Sequence, residues 1–214
     1  MADSLEKVLL IILGWLLGLL GPAFVNIIKQ QREDTAVRAA IFAELHSLAR
    51  LLVIAAHGVR IHQANATDIH LQWMAKQMGR FSQPEDEPIK DFVEQMLSLS
   101  ADQRHGLLVH GRKPGQSQGL QKYPVPLLDS RVAALYTLTT GEQIALLGIR
   151  TQLGFLDDAV DRARKFNDMT FQQHKAGNYE LVIDNADRAL DDYVRHAVLI
   201  VDRIADAVDA RVKA

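Results

Sequence analysis

One uncharged stretch near the N-terminus constrains this chain more than any other feature. Residues 8–28 (VLLIILGWLLGLLGPAFVNII) contain no charged side chain, and Lys29 and Arg32 follow directly. Because an α-helix rises about 1.5 Å per residue, this run spans roughly 30 Å, which is the thickness of the hydrocarbon layer of a bilayer. The sequence therefore predicts a single transmembrane anchor within residues 1–28, in contact with the lipid bilayer.

A cleaved signal sequence is the main alternative to a retained anchor. Signal sequences begin with a basic segment and end at a small-x-small cleavage site. Here Asp3 and Glu6 accompany Lys7, and no A-x-A pattern follows the apolar run. A retained anchor is therefore favoured over cleavage or a buried soluble helix. Pro22 interrupts the backbone donors of the run, so a kink or a re-entrant hairpin stays open.

Basic residues flank the apolar run unequally. Lys29, Arg32 and Arg38 follow it, whereas Lys7 is the only basic side chain before it. Positively charged flanks are retained on the cytoplasmic side, so we expect the N-terminus outside and residues 29–214 in the cytoplasm. The absence of cysteine is compatible with this reducing compartment.

The apolar run contains a small-residue motif. Gly14 and Gly18 form a G-x-x-x-G pattern, and Gly21 extends the same small-residue surface by nearly another turn. Such positions let two helix backbones approach closely inside a membrane, so the sequence predicts a homo-oligomer. Glycine is also frequent in membrane helices for other reasons, and this alternative remains.

Composition limits what the rest of the chain can be. The roughly 180 residues after the anchor suffice for one domain with a core of its own. With 24 basic and 26 acidic side chains and 6 % aromatic residues, the chain lacks the strong positive field and the stacking surface typical of nucleic-acid binding. We therefore expect no nucleic-acid partner.

Residues 29–110 are predicted to be helical and close to the membrane. Apolar residues recur at alternating steps of four and three, as in helical bundles and coiled coils. This seam consists of Ile41, Leu45, Leu48, Leu52, Ala55 and Val59.

Shorter helices are predicted after this seam. Thr67 can cap a helix over 68–81, with Ile69, Trp73 and Met74 as its apolar side. A turn bracketed by prolines over 82–88 then precedes helices over 89–99 and 101–110, the latter capped by Ser100.

Residues 111–126 (GRKPGQSQGLQKYPVP) form the one long irregular segment in the sequence. Arg112 and Lys113 could receive an anion or a partner protein, but the segment lacks the order of glycine, lysine and serine or threonine that surrounds phosphates. A surface loop is favoured, because Gly, Pro, Ser and Gln favour loops whatever their role.

Residues 127–214 carry the clearest helical signals. After a helix near 127–138, Thr140 with Gln143 makes a capping box, and Thr139 with Glu142 lies in the same register. Two long apolar seams follow, separated by a tight turn at 175–178. The first seam contains Leu146, Ile149, Leu153, Leu156, Val160 and Ala163, and the second contains Leu190, Val194, Ala197, Val201, Ile204 and Val208.

Two long helices joined by a short turn lie antiparallel. The predicted fold class is therefore all-α: an N-terminal transmembrane helix continues into a cytoplasmic helical bundle that ends in an antiparallel αα-hairpin. Residues 29–110 and 127–214 are expected to form one bundle.

The sequence contains no recognisable arrangement of catalytic or metal-ligating residues. Eight histidines are present, but none has the HExxH or Glu-x-x-His spacing that places ligands one helical turn apart, so no metal, cofactor or catalytic residue is predicted. The histidines are interpreted as solvated or hydrogen-bonded. Asp184, Asp187 and Asp191 form a stripe, but interleaved arginines make a solvated helix face the better interpretation.

These observations favour a non-enzymatic, membrane-anchored module that binds a protein partner or senses a signal as an oligomer. A membrane-active effector, whose oligomerised anchors perturb the bilayer, is the alternative. Against it, Asn26 is the only strongly polar side chain in the apolar run, and a pore lining needs several such side chains on one face. A membrane-tethered enzyme of unknown chemistry is the third option.

Overall fold

The protein is helical throughout the part of the chain that the structure describes. This computed structural model describes residues 2–111, 119–130, 138–172 and 178–212; within the first helix, side chains are described at Trp15 and from Val25 onward. Of the described residues, 88 % are helical and none lies in a strand. The all-α prediction is confirmed.

Seven α-helices and one 3-10 turn account for the described backbone. They are α1 (Ala2–His62), α2 (Asp68–Phe81), the 3-10 turn (Pro84–Asp86), α3 (Glu87–Ser98), α4 (Ala101–Gly111), α5 (Pro126–Ser130), α6 (Thr140–Thr170) and α7 (Asn178–Val212).

Helix α1 is continuous from Ala2 to His62, so Pro22 neither ends it nor makes a re-entrant hairpin. The chain nevertheless divides into two compact units, residues 1–41 and residues 42–214. In the first unit, Ile41 at its end is buried, but Trp15 is 68 % exposed and Val25 is 63 % exposed. Trp15 and Val25 are therefore not part of a hydrophobic core within this unit.

In the second unit, α1 contributes the predicted seam to the core. Leu45, Leu52 and Val59 are fully buried, whereas Ala55 is only half-buried. Neighbouring positions such as Val53 are buried as well. The buried stripe is therefore wider than a two-stranded coiled-coil seam, because α1 packs against several elements at once.

Helices α6 and α7 pack against each other along their lengths. The six predicted seam residues of α6 are buried, and those of α7 are buried except for the half-buried Val208. Arg162 pairs with Asp192, while Gln152 lies farther back on α6 and contacts His196, farther along α7. The two helices therefore run in opposite directions.

Three predicted caps are found. Ser100 accepts a hydrogen bond from the backbone N–H of Gln103 at the start of α4, as predicted, and the cap of α6 is shifted by one residue. Thr67 accepts a hydrogen bond from the His70 backbone N–H and caps α2 as predicted. The cap of α6 is Thr139 with Glu142, not Thr140 with Gln143. Thr139 has extended backbone angles (φ −64°, ψ 154°), so its side chain can reach the N–H of Glu142.

Several predicted boundaries were wrong. Helix α3 begins at Glu87 rather than residue 89, because Pro88 can occupy a first helical turn, where its missing N–H has no partner to lose. Gly111 still belongs to α4 and Pro126 begins α5, while 112–118 of the predicted loop lie outside the described residues. The described part of the predicted 127–138 helix ends at Ser130, and 131–137 lie outside the described residues, as do 173–177 of the predicted turn.

Two polar contacts fix α1 to the shorter elements of the second unit. Glu44 accepts hydrogen bonds from the backbone N–H groups of Leu127 (3.0 Å) and Leu128 (2.9 Å), which cap α5. The Arg50 guanidinium makes two hydrogen bonds to the buried Asp86 carboxylate, at 2.5 and 2.6 Å. The same guanidinium holds the pKa of Asp86 below its ordinary value.

A pair of adjacent leucines tests whether this part of α1 is protein core. Leu52 is fully buried, whereas Leu51 is 39 % exposed. We expect Leu52→Ala to lower the free energy of unfolding by about 2–5 kcal/mol, because it leaves a cavity among packed side chains. Leu51→Ala should cost less than about 1 kcal/mol. Urea unfolding measures both; equal costs would show that this face of α1 is not buried.

Candidate binding groove

A groove opens on the second unit where the end of α1 and the start of α2 meet α7. Its volume is about 390 Å³. Most of its wall is apolar, and its charged side chains are basic. The lining residues are Arg60, Asn65, Thr67, Ile69, His70, Trp73, Val194, Arg195, Val198 and Leu199.

Hydrogen bonds between α2 and α7 hold the walls of the groove in place. The indole Nε1–H of Trp73 and the amide Nε2–H of Gln77 both donate to Asp202 Oδ1, each at 2.9 Å. Trp73 and Gln77 lie four residues apart, so they are on one face of α2 and reach the same carboxylate. Arg60 then ties the end of α1 to Asp191 on α7 at 2.5 Å.

His70 lines the groove and stacks on a second buried histidine, His57, which is not part of the lining. The rings of His57 on α1 and His70 on α2 are 5.7 Å apart between centroids and only 9° from parallel. His57 is 5 % exposed and His70 is 8 % exposed. Among the described residues, neither ring nitrogen of His57 has a hydrogen-bond partner, nor does Nε2 of His70.

Burial keeps both histidines uncharged. It lowers the pKa of His57 from 6.5 to about 4. Burial also lowers the pKa of His70 to about 4, with smaller contributions from the nearby His57 and Arg60. At neutral pH the pair is therefore two flat, neutral rings, which suit an apolar ligand wall better than acid–base chemistry.

The rim of the groove carries one uncompensated positive charge. Arg195 and Arg162 both bind the Asp192 carboxylate, at 2.7 and 3.0 Å. Two guanidinium groups thus share one carboxylate, which leaves a net charge of about one unit on this cluster. The Arg195 side chain is 65 % exposed and can turn toward a ligand.

The groove was not predicted from the sequence. Ile69 was assigned to the apolar side of α2, but it is 82 % exposed at the groove, and the buried face instead includes Leu71, Met78 and Phe81. The buried face of α2 could have been predicted from the spacing of Leu71, Met74, Met78 and Phe81, which recur at steps of three and four. Ile69 does not fall on this face.

The interpretation of the histidines as solvated or hydrogen-bonded was wrong for His57, whose two ring nitrogens are buried without a hydrogen-bond partner; for His70 this is true of Nε2 alone. They come together although they are 13 residues apart and on different helices. Within the described part of the chain, no cluster of three or more potential ligands could hold a metal ion. The acidic stripe is exposed as expected, and Asp191 pairs with Arg60.

The site residues proposed from the sequence are not among the described side chains. Gly14, Gly18 and Gly21 belong to the stretch of α1 whose surroundings are not described, and Arg112 and Lys113 lie outside the described residues.

No protein-family description, curated protein or solved structure matches this chain. The function has to be inferred from the residues and their arrangement.

Acid should destabilise the second unit through the two buried histidines. The unfolded chain takes up protons below about pH 6.5, whereas the folded histidines resist protonation down to about pH 4. The free energy of unfolding should therefore fall as the pH drops through this interval, by up to roughly 3 kcal/mol for each histidine. Urea unfolding at pH 7 and pH 4.5 measures the loss.

The variant His57→Leu should lose less stability than wild type between these two pH values. Met74→Leu, a buried neighbour on α2 that does not titrate, serves as the control and should keep the wild-type pH dependence. An identical pH dependence in His57→Leu and wild type would contradict this role of His57.

Proposed function

We propose that this protein is a single-pass membrane protein whose N-terminal helix anchors a cytoplasmic, non-enzymatic binding or sensing module. The observation that carries the proposal is the length and apolar character of α1. Its residues 8–28 contain no charged side chain and are long enough to cross a membrane. Among residues with described side chains, Val25–His62 also meets a length and hydropathy test for a membrane span, but 44 % of its most apolar window is buried inside the protein.

The burial pattern of α1 indicates which part of the helix would contact lipid. From Phe42 onward its apolar side chains pack in the protein core, so this part behaves as a core helix of a soluble domain. The uncharged residues 8–28 precede it, and Ile27 and Ile28, at 53 % and 50 % exposed, have little protein cover. Exposed apolar side chains on a long helix favour contact with lipid over contact with water.

The remainder suits a binding module. Antiparallel α6 and α7 form the C-terminal αα-hairpin of a helical bundle, and α1 and α2 pack against α7 to leave one apolar, basic-rimmed groove. Small-molecule and peptide sites are typically apolar concavities with a few polar groups. A binding role is therefore better supported than a bilayer-perturbing role, which requires polar residues along the span.

The proposed topology follows from charge. Lys29, Arg32 and Arg38 would hold the second unit on the cytoplasmic side, with the short N-terminus outside.

The absence of cysteine allows a clean topology test with single-cysteine variants. Ser98→Cys places a thiol at an exposed position at the end of α3, and Ser4→Cys places one before the apolar run. We expect both variants in the carbonate-washed membrane fraction. A membrane-impermeant maleimide added to intact cells should label Ser4→Cys, while Ser98→Cys should be labelled only after lysis.

Wild type provides the control, since it has no thiol to label. Labelling of Ser98→Cys in intact cells would reverse the topology. Recovery of the protein in the soluble fraction would refute the anchor itself.

The proposed module works as an oligomer through its anchor. Gly14 and Gly18 would lie on one face of the helix, where the absence of side chains lets a second anchor approach. Gly21 continues this face. The apolar seam that follows the anchor along α1 is buried in the protein core and does not contribute to this association.

Replacing both glycines tests the oligomer. We expect the double variant Gly14→Ile, Gly18→Ile to reduce self-association of residues 1–38 by about fivefold or more, because larger side chains separate the two backbones. A membrane two-hybrid assay or chemical crosslinking measures this association. Insertion should be preserved, since isoleucine is more apolar than glycine. The matched control Leu16→Ile should leave association unchanged. Equal signals from the double variant and wild type would show that the glycines are incidental.

A further inference from the structure

We propose that the groove between the end of α1, α2 and α7 binds a single-chain amphipathic carboxylate, with its carboxylate at Arg195 and its hydrocarbon chain along the apolar wall. This small-molecule ligand is distinct from the bilayer that the anchor contacts and from any protein partner. All of the lining residues lie within residues 42–214, so the proposal does not depend on the anchor.

The charges around the groove select an anionic head group. Among the described residues that line it, the two ionised side chains are arginines and no carboxylate is present. Asp192 lies beside the groove but is already divided between Arg162 and Arg195. A ligand carboxylate would supply the second anion that these two guanidinium groups lack, and arginine is well suited to bind carboxylates through two parallel hydrogen bonds.

The apolar wall of the groove favours a ligand with a hydrocarbon chain over a compact polar ligand. Ile69 is 82 % exposed and Leu199 is 41 % exposed, while Val198, which also lines the groove, is half-buried. A hydrocarbon chain along these side chains would remove apolar surface from water on both partners. The groove volume of about 390 Å³ lies in the range of small-molecule sites, about 300–1,000 Å³.

The inner side of the groove is compatible with the same ligand. His70 and Trp73 present rings whose centroids are 5.7 Å apart. Because the imidazole of His70 is neutral at pH 7, a methylene chain can approach it without displacing the hydration of a charge. A cationic amphiphile would meet the same wall but would find no carboxylate among the described lining residues to pair with its head group.

Trp73 provides a direct readout of the groove. The chain has two tryptophans, so Trp15→Phe leaves Trp73 as the only indole. We suggest titrating the full-length Trp15→Phe protein, in phosphatidylcholine nanodiscs or in buffer if it proves soluble, with 12-bromododecanoate. Bromine quenches an indole that it contacts. The expected result is saturable quenching of Trp73, with the corresponding bromododecanol about fivefold or more weaker because it lacks the carboxylate.

Two variants test the two halves of the site. Arg195→Gln keeps most of the side chain and removes the charge, so it should weaken bromododecanoate at least fivefold and leave the alcohol unchanged. Val198→Phe should fill the groove and weaken both ligands. Arg80→Gln is the matched control, because Arg80 also joins α2 to α7, through Asp209 at 2.8 Å, but lies outside the groove lining.

Each outcome decides the proposal. One outcome is that the carboxylate, the alcohol and a bromododecyl ammonium quench Trp73 equally, and that Arg195→Gln changes none of them. This would mean that the amphiphiles only partition into lipid, and it would overturn the proposed binding site. Quenching that Val198→Phe abolishes but Arg195→Gln does not change would overturn the assigned head group. Because this assay runs in nanodiscs or in buffer, failure of the anchor in the fractionation experiment would leave its result intact.

Discussion

The burial of the C-terminal part of α1 in the second unit is the interaction on which the rest of the structure depends. Its apolar stripe forms one side of the core, and its polar residues reach separate elements. Glu44 caps α5, Arg50 binds Asp86 beside the 3-10 turn, and Arg60 binds Asp191 on α7. Without α1, each of these elements would lose both apolar cover and a charged partner.

The sequence predicted most of the helices because their signals are local. The apolar seams of α6 and α7 recur with helical spacing, and a residue on such a seam is buried whichever partner it meets. Thr67 was found for the same reason, since a cap depends on a few successive residues. Thr139 and Thr140 are each followed three residues later by a side chain that can complete a capping box. Only the backbone angles identify Thr139 as the cap.

The groove could not be predicted because it depends on contacts between distant segments. The partners of Asp202 are Trp73 and Gln77, which are 129 and 125 residues away along the chain. His57 and His70 were judged by their spacing to other histidines on one helix, whereas their burial follows from how α1 and α2 pack. Net charge was equally uninformative, because the sharing of Asp192 by two arginines is a local arrangement within a nearly neutral chain.

The capping of α5 by Glu44 has a consequence for the order in which the chain folds. The first N–H groups of any helix have no partner within the helix, so the start of α5 needs acceptors from elsewhere. Its first N–H groups are held by a carboxylate 83 residues earlier in the chain. The cap at the start of α5 can therefore form only once α1 is in place. Transient opening of residues 126–130 would release this connection while the packing of α6 on α7 stays intact.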